Sequence, residues 1–299
     1  MVRKLKNGRI ALATIVLGIS FLLTVLWLRE RIVISLSDVP IAVSFAHTPI
    51  VTIQSNMDKP IHCLIDTGMS SDLILEEPVQ EAFKSLDTDN NLAITDLSGT
   101  VVKKIRFISH VHLGHLRIKK IRGFVQTKEE SSRSMIPFFF RCSPSHQHIQ
   151  PEGAIGMGIL ARYNCYLGLK EGKFSIYHKG SIPKKIKQKQ FMILDLVANA
   201  NVPIVCLSTS YGEKKFLIDT GSTVCCFSES SKSQFEGLSE EGVLYLPLES
   251  GGLPLSTQRF YFFGPSFASS GIDGILGIDF LAHYNLFFDH LNHKLYLLR

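Results

Sequence analysis

The chain carries one short acidic motif twice, and its residue types suit acid–base chemistry. Asp66-Thr67-Gly68 recurs as Asp219-Thr220-Gly221, and two apolar residues precede each copy. Two carboxylates within a few ångströms of each other cannot both ionise easily, so such a pair holds one proton over a broad pH range. The ionised member can take a proton from water, and the protonated member can stabilise a developing oxyanion. We therefore predict that Asp66 and Asp219 form one catalytic pair.

A glycine completes each triplet. Gly68 and Gly221 let the backbone approach closely and bring amide donors to the carboxylates. A single Asp-Thr-Gly triplet is often no more than a surface turn. Two copies, in a chain whose other segments are duplicated as well, favour the catalytic interpretation.

The duplication extends well beyond the triplets. Downstream of the first triplet lies Glu152-Gly153-Ala154-Ile155-Gly156, and downstream of the second lies Asp273-Gly274-Ile275-Leu276-Gly277. Each block is followed by Leu, Ala, Tyr and Asn at matching positions, ending at Asn164 and Asn285. The period is too long for a solenoid repeat and indicates two copies of one small domain.

Short strands must position these motifs, because apolar runs alternate with Gly, Asn, Asp and Pro. The predicted strands include Ile41–Phe45, Ile50–Gln54, His62–Ile65, Phe191–Val197, Ile204–Leu207 and Phe216–Ile218. Short helices are expected around Pro78–Leu86, after Gly156 and after Gly277. The pattern indicates an all-β chain of two closed lobes rather than an α/β sheet.

These motifs resemble those of retropepsin-type aspartic proteases, here with two lobes fused in tandem over roughly residues 40–299. The resemblance implies two β-barrel lobes with Asp66 and Asp219 facing each other between them. It also implies that the hydroxyls of Thr67 and Thr220 lock the two loops together. The chain departs from the family pattern at Met69, at Ala154, and in about thirty extra residues between acid and glycine block in the first lobe.

The same resemblance predicts supporting groups around the pair. Ser222 is expected to add a hydrogen bond to Asp219 that Met69 has no means of giving to Asp66, so the two acids would be inequivalent. A flap hairpin is expected between each acid and its glycine block, with tips at Ser98-Gly99 and at Ser250-Gly251-Gly252. An ordinary surface hairpin is the alternative for each.

An apolar run from Ile10 to Leu28 precedes the lobes and is long enough to cross a bilayer as a helix. The basic residues between Arg3 and Arg9 predict a cytoplasmic N-terminus and an exocytoplasmic catalytic domain, which would be periplasmic in a bacterium. A cleaved signal peptide is the alternative, although no small-x-small site follows the run. We therefore predict a single-pass membrane protein.

The predicted boundaries follow from these segments. Residues 1–31 are the cytoplasmic stub and transmembrane anchor, 32–180 the first lobe, 181–190 a basic interlobe linker, and 191–299 the second lobe. Five lysines between Lys179 and Lys189 predict that the linker is exposed. No basic patch interleaved with aromatic residues is apparent, which argues against nucleic-acid binding.

Other polar residues give weaker signals. His110, His112, His115, His146 and His148 are candidate metal ligands, but no carboxylate or cysteine completes a set, so a solvated strand face is favoured and no metal is predicted. The six cysteines lack metal-type spacing; Cys63 and Cys206 lie in core-like strands, and the pairing of the others stays open. The segment Thr127–Gln150 is the extra length of the first lobe and is a substrate-gating loop, an accessory contact or a plain surface insertion.

Together these features predict a membrane-anchored aspartic endopeptidase that is active as a monomer and needs no cofactor. Its substrate would be an extended polypeptide held by main-chain hydrogen bonds. The alternative is a non-catalytic module that captures a peptide or a partner's tail on the same fold. Retention of both acids favours the enzyme, because a buried acid pair without a use is costly.

Overall fold

The computed structural model of the protein describes residues 35–43, 47–96, 99–126, 149–198, 201–262 and 271–299. Strands dominate this part of the chain and form two barrels and a six-stranded sheet. The predicted β-rich class is confirmed, and the two barrels are consistent with a two-lobed pepsin-like fold and compatible with an internal duplication.

The first lobe surrounds the first acidic triplet. Its strands, together with β1 of the central sheet, are β1 (Ser37–Pro40), β2 (Ala42–Val43), β3 (Pro49–Gln54), β4 (Pro60–Ile65), β5 (Leu73–Glu76), β6 (Ser85–Asp96), β7 (Gly99–Leu113), β8 (Leu116–Gln126) and β9 (Gly153–Ile155). A 3-10 helix, Glu77–Ala82, follows β5, and helix α1 (Met157–Leu160) follows β9. The ring β3-β4-β9-β5-β8-β7 closes where Gln54 pairs with His112.

The segment between the lobes is also structured. It contains β10 (Asn164–Gly168), β11 (Lys173–Tyr177), helix α2 (Lys184–Lys189) and β12 (Gln190–Asp195). The predicted linker 181–190 is therefore largely helical. Its lysines are exposed as predicted, but Ile186 is only 2% exposed, so the segment is packed down on the protein.

The second lobe repeats the plan of the first. Its elements, followed by the last two strands of the chain, are β13 (Ile204–Thr209), β14 (Gly212–Ile218), β15 (Cys226–Phe227), a 3-10 helix (Glu229–Gln234), β16 (Leu244–Ser250), β17 (Leu253–Phe262), β18 (Gly274–Leu276), α3 (Ile278–Leu281), β19 (Asn285–Asp289) and β20 (Lys294–Leu298). The barrel runs β13-β14-β18-β15-β17-β16 and closes where Ser208 pairs with Glu249.

A central sheet joins the two lobes in the order β1-β11-β10-β19-β20-β12, with three strands from each half. All residues of β10 and β19 are buried, because both faces of the sheet are covered. On the inner face, Leu167 and Phe288 belong to the core shared with the barrels; on the outer face, Tyr166 and Phe287 pack against α2. The sequence did not predict this shared sheet.

The predicted strands overlap observed ones, and the short helices after Gly156 and Gly277 are α1 and α3. Among the described residues, no helix is long and apolar enough to cross a membrane. The predicted anchor Ile10–Leu28 lies outside those residues, as do Ser98 and nearly all of Thr127–Gln150.

The described cysteines, which exclude Cys142, are all free thiols. Cys63 is buried as expected, whereas Cys206 is partly exposed. Within the same ranges, no group of three or more His, Cys, Asp or Glu residues is arranged to hold a metal ion. The rings of His110 and His112 lie 5.1 Å apart, and His110 Nδ1 contacts Ser109 Oγ at 3.0 Å and Arg117 at 3.1 Å.

Candidate active site

Each acidic triplet lies at the end of a barrel strand that runs parallel to a glycine block. β4 pairs with β9 in parallel, and β14 pairs with β18 in the same way. Beyond the last pairs, the Asp66 N–H donates to the Ile155 carbonyl at 2.9 Å, and the Asp219 N–H donates to that of Leu276 at 3.1 Å. The duplicated motifs of the sequence therefore meet within each lobe.

The two threonines tie the lobes together by reciprocal hydrogen bonds. Thr67 Oγ1 donates to the Ile218 carbonyl at 2.7 Å, and Thr220 Oγ1 donates to the Ile65 carbonyl at 2.5 Å. Each hydroxyl also accepts the other threonine's backbone N–H, at 3.0 Å for Thr67 Oγ1 and 3.1 Å for Thr220 Oγ1. Both side chains are buried, so the pattern has approximate two-fold symmetry and fixes the spacing of the two loops.

The carboxyl groups of Asp66 and Asp219 meet on this axis, close enough to perturb each other's ionisation. Each also packs against the glycine of the opposite triplet. A Cβ at Gly221 would lie 2.7 Å from Asp66 Cγ, and one at Gly68 would lie 2.7 Å from Asp219 Oδ1. Any larger residue at either glycine would separate the acids. Both aspartates are half-buried, so they keep some access to solvent.

Backbone amides surround both carboxylates. Met69 N–H donates to Asp66 Oδ1 at 3.0 Å, and the N–H groups of Gly221 and Ser222 donate to Asp219 Oδ1 at 2.8 and 3.2 Å. The Ser222 hydroxyl instead donates to the Val224 carbonyl at 2.9 Å. The expected side-chain bond from Ser222 to Asp219 is therefore wrong, and Met69 gives Asp66 the same backbone bond that Ser222 gives Asp219.

The environment still distinguishes the two acids. Burial raises the pKa of Asp66 well above its usual range, and the neighbouring charge of Asp219 raises it further. Burial also raises the pKa of Asp219, but the backbone donors of Gly221 and Ser222 oppose that rise. Asp219 Oδ1 accepts two backbone N–H bonds and Asp66 Oδ1 accepts one, so these donors favour ionisation of Asp219.

Short helices hold both loops from behind. The first N–H of α1, at Met157, donates to the Met69 carbonyl at 2.7 Å, and the first N–H of α3, at Ile278, donates to that of Ser222 at 2.8 Å. The matching blocks Ala154-Ile155-Gly156 and Ile275-Leu276-Gly277 thus end at the glycine just before each helix begins. This explains why the two glycine blocks recur with the triplets.

The first-lobe loop has an additional ionic support that the sequence did not predict. Asp72 is 1% exposed, and its Oδ2 accepts the Arg162 guanidinium at 2.7 Å and the Arg122 N–H at 2.8 Å. Arg162 also donates to the Gly158 carbonyl at 2.7 Å. The sequence repeat gave little indication of this ion pair, because the second lobe has His283 at the position of Arg162 and Cys225 at the position of Asp72.

Both predicted flap regions are hairpins, but they are not equivalent. In lobe 1, β6 and β7 pair up to Asp96 and Gly99, and residues 99–104 of β7 pair with β6 alone. This end is a two-stranded ribbon that extends past the barrel ring. Its predicted tip residue Ser98 lies outside the described residues, whereas Gly99 begins β7.

In lobe 2, β16 and β17 join through the tight turn Gly251–Gly252, next to the Ser250–Leu253 pair. Both glycines have positive φ, +57° and +76°, as this turn requires. Both strands belong to the closed barrel, as β7 and β8 do in lobe 1. The topology therefore matches the Ser250-Gly251-Gly252 tip with the Gly114 turn between β7 and β8 and not with the lobe 1 flap. The two predicted hairpins therefore occupy different places in their lobes.

The asparagines of the repeat form a second set of interlobe contacts. Asn164 Oδ1 accepts the His290 N–H at 3.0 Å, and its amide nitrogen donates to Asp289 Oδ1 at 3.2 Å. Asn285 Oδ1 accepts the Lys170 N–H at 2.9 Å. Each asparagine thus reaches the hairpin turn of the other half. The sequence showed the matching positions, but gave no indication of the partners.

Comparison with protein-family models gives no match for this chain, and comparison with curated proteins gives none either.

Proposed function

We propose that the protein is an aspartic endopeptidase whose catalytic pair is Asp66 and Asp219. The observation that supports it best is the reciprocal arrangement around the axis between the lobes. Each lobe contributes one acid, one locking threonine and one glycine that packs against the opposite acid. An aspartate that served only to form a surface turn would not need a second carboxyl group facing it from the other lobe.

Peptide hydrolysis by this pair needs a base and an acid at the same moment. Asp219, held ionised by backbone donors, takes a proton from the attacking water, while protonated Asp66 donates a hydrogen bond to the scissile carbonyl. The water adds to the carbonyl carbon to give a tetrahedral gem-diol. The C–N bond then breaks as the amide nitrogen receives a proton from the pair, leaving a free carboxyl and a free amine.

The proposed substrate is an extended polypeptide bound in the cleft between the lobes. Strand-like substrates supply main-chain donors and acceptors at regular intervals, which suits a cleft bounded by hairpins. The β6–β7 ribbon is the element suited to close over the peptide, since only part of β7 is held by the barrel. Both acids lie in one chain, so the monomer would be the active form.

The proposed location is a membrane surface outside the cytoplasm. It depends on the apolar run Ile10–Leu28 and the basic residues before it. Protease added to intact spheroplasts would then digest the large domain. Protection of the domain until the membrane is lysed would contradict this orientation.

The catalytic proposal is tested with the full chain in detergent and a mixed peptide library. Asp66→Asn and Asp219→Asn should each lower cleavage by about 10²–10⁴-fold, because the amide neither ionises nor donates an acidic proton. The double variant should be no worse than either single variant, since the residues act as a unit. Cleavage should follow a bell-shaped pH profile with limbs that belong to the pair.

Asp58→Asn is the matched control, because Asp58 is an exposed turn residue of the same lobe. Its cleavage rate should equal that of the wild type. Comparable cleavage by wild type and Asp219→Asn would refute the mechanism. Peptide binding without cleavage by any form would favour the non-catalytic module instead.

A further inference from the structure

Five lysines form an exposed cluster on the side of the molecule that carries α2, and we refer to them as the lysine face. Its members are Lys179, Lys184, Lys185, Lys187 and Lys189. Residues 178–190 contain no aspartate or glutamate. The segment therefore carries five positive charges within 11 residues, counted from Lys179 to Lys189, with no acid between them.

These lysines stand on a rigid base. Ile186 of α2 is buried in a cluster with Tyr166, Tyr177 and Phe287, together with other side chains of the outer sheet face. Lys185 Nζ lies 4.9 Å above the centre of the Tyr166 ring. The segment before α2 is held as well, because the Asn164 amide donates to the Ser181 carbonyl at 3.2 Å. The charges are therefore presented as a fixed surface and not on a loose linker.

The protein leaves this charge unbalanced. Elsewhere among the described residues, Lys173, Lys232 and Lys294 form ion pairs with carboxylates. No lysine of the lysine face has such a partner within the same described ranges. An uncompensated cluster of this kind attracts a surface of opposite charge over about one Debye length.

The central sheet separates the lysine face from the catalytic pair. The inner sheet face, with Cys165, Leu167 and Phe288, borders a small apolar cavity of about 10 Å³ that also touches Thr67. The outer sheet face carries the aromatic residues beneath α2. A flat partner that covered α2 would therefore leave the Asp66–Asp219 side pointing away from it.

The predicted anchor enters the fold at the sheet that carries the lysine face, which points to a membrane as the partner. β1 is the edge strand of this sheet, and its Ser37 pairs with Ile176, next to Tyr177 of the cluster beneath α2. Only residues 29–34 separate the end of the predicted anchor at Leu28 from Ser35. A chain of that length reaches about 25 Å at most. If the anchor crosses a bilayer, the sheet bearing the lysine face must lie close to the headgroups.

We propose that the lysine face docks on anionic phospholipid headgroups and turns the cleft between the lobes away from the bilayer. The proposal draws on the predicted anchor for proximity and does not depend on the chemistry of the acid pair. Exposed lysines held close to a bilayer are attracted to anionic headgroups. The aromatic side chains near α2 are buried beneath it, so they are not presented to stack on nucleic-acid bases.

The test uses the full-length chain in nanodiscs of neutral phosphatidylcholine, or of phosphatidylcholine with phosphatidylglycerol. Amine-reactive labelling, read by mass spectrometry, reports the accessibility of each lysine. Labelling of Lys184 and Lys187 should fall about threefold or more in the anionic discs, and 0.5 M salt should restore it. Lys59 and Lys84, exposed on the first barrel, should label equally in both discs.

A charge-reversed double variant, Lys184→Glu with Lys187→Glu, should lose the protection at Lys179 and Lys189. The matched control, Lys59→Glu with Lys84→Glu, changes the net charge equally and should keep it. Equal labelling of the lysine face in neutral and anionic discs would overturn the proposal. So would protection by soluble polyglutamate without protection by anionic discs, since the partner would then be an acidic polypeptide. Peptide cleavage is not a readout, so failure of the catalytic proposal would leave this result unaffected.

Discussion

The two lobes make the same contacts at the axis between them but different ones a short distance away. At the axis, Thr67 and Thr220 exchange equivalent hydrogen bonds, and Gly68 and Gly221 pack on opposite acids. Behind the loops, the lobes place their carboxylates differently. A contact between the lobes requires matching residues in both copies of the repeat. A contact inside one lobe can change without any change in the other lobe.

The clearest difference concerns one buried carboxylate. In lobe 1, Asp72 follows the acidic loop, and its Oδ1 lies so close to Gly158 of α1 that a Cβ there would collide with it. In lobe 2 the equivalent loop residue is Cys225, and the residue equivalent to Gly158 is Asp279. Cys225 Sγ donates to Asp279 Oδ1 at 3.0 Å. Each lobe thus has room for one carboxylate at this contact, supplied from opposite sides.

The second difference is the projecting ribbon. Lobe 1 has the additional strand β6 outside its barrel ring, whereas all six described strands of the lobe 2 barrel take part in closing it. Lobe 1 therefore has a flap-like ribbon, whereas the described part of lobe 2 has no strand that projects from its barrel. The surroundings of the two acids are therefore asymmetric, although the acids themselves are related by approximate two-fold symmetry.

Placing a second carboxylate at the lobe 1 contact should give the largest effect. Gly158→Asp sets a buried acid against Asp72 and should lower the free energy of unfolding by about 4 kcal/mol. Adding Asp72→Cys removes the competing carboxylate and should restore part of the loss, because contacting residues are non-additive. Recovery should be incomplete, because Arg162 loses its Asp72 partner and the new Cβ still lies 2.7 Å from the backbone nitrogen of residue 72. Denaturant unfolding of the full chain in detergent measures both.

Gly212→Asp is the control for placing an aspartate at a glycine with open space around it. Nothing lies within 4 Å of a Cβ at Gly212, where φ is +85°. Its cost should be about 1 kcal/mol, from the left-handed backbone alone. If the double variant Asp72→Cys/Gly158→Asp were no more stable than Gly158→Asp, the Cys–Asp pair of lobe 2 could not replace the Asp–Gly pair of lobe 1.

Removing the interlobe asparagines should have a smaller and unequal effect. Asn164→Ala removes the bonds to His290, Asp289 and Ser181 from a fully buried site and should cost about 2–3 kcal/mol. Asn285→Ala removes one short bond to Lys170 and a 3.5 Å contact to Glu171, and should cost about 1 kcal/mol. Chemical denaturation compares the two directly. If Asn164→Ala lost no more stability than Asn285→Ala, the number of hydrogen bonds at each asparagine would not explain its contribution.

The sequence predicted what depends on type and spacing, and it failed where partners are set by packing. The paired triplets and glycine blocks carry their own signal, because each needs specific residues in a fixed order. The partners of Asn164 and of Asp72 lie on other elements, so no local pattern identifies them. Gly251-Gly252 marks a tight turn correctly, but the ring that its strands join depends on long-range pairing. The lysines of α2 correctly predicted an exposed segment. The burial of Ile186 could not be predicted, because it depends on the sheet that packs beneath α2.

The smallest effect should reveal which acid holds the proton. The folded pKa values of both aspartates are raised, so between the usual carboxyl pKa of about 4 and the raised values the folded state binds more protons than the unfolded state. The stability of the wild type should therefore fall as pH rises through that window. Asp66→Asn imitates the protonated acid and should be more stable than the wild type at pH 7 by about 1 kcal/mol, with the difference closing towards pH 4. Asp219→Asn should gain less, because it discards an anion that the N–H groups of Gly221 and Ser222 stabilise. Thermal unfolding of the three proteins from pH 4 to pH 8 measures the order, and a larger gain for Asp219→Asn would place the proton on the lobe 2 acid.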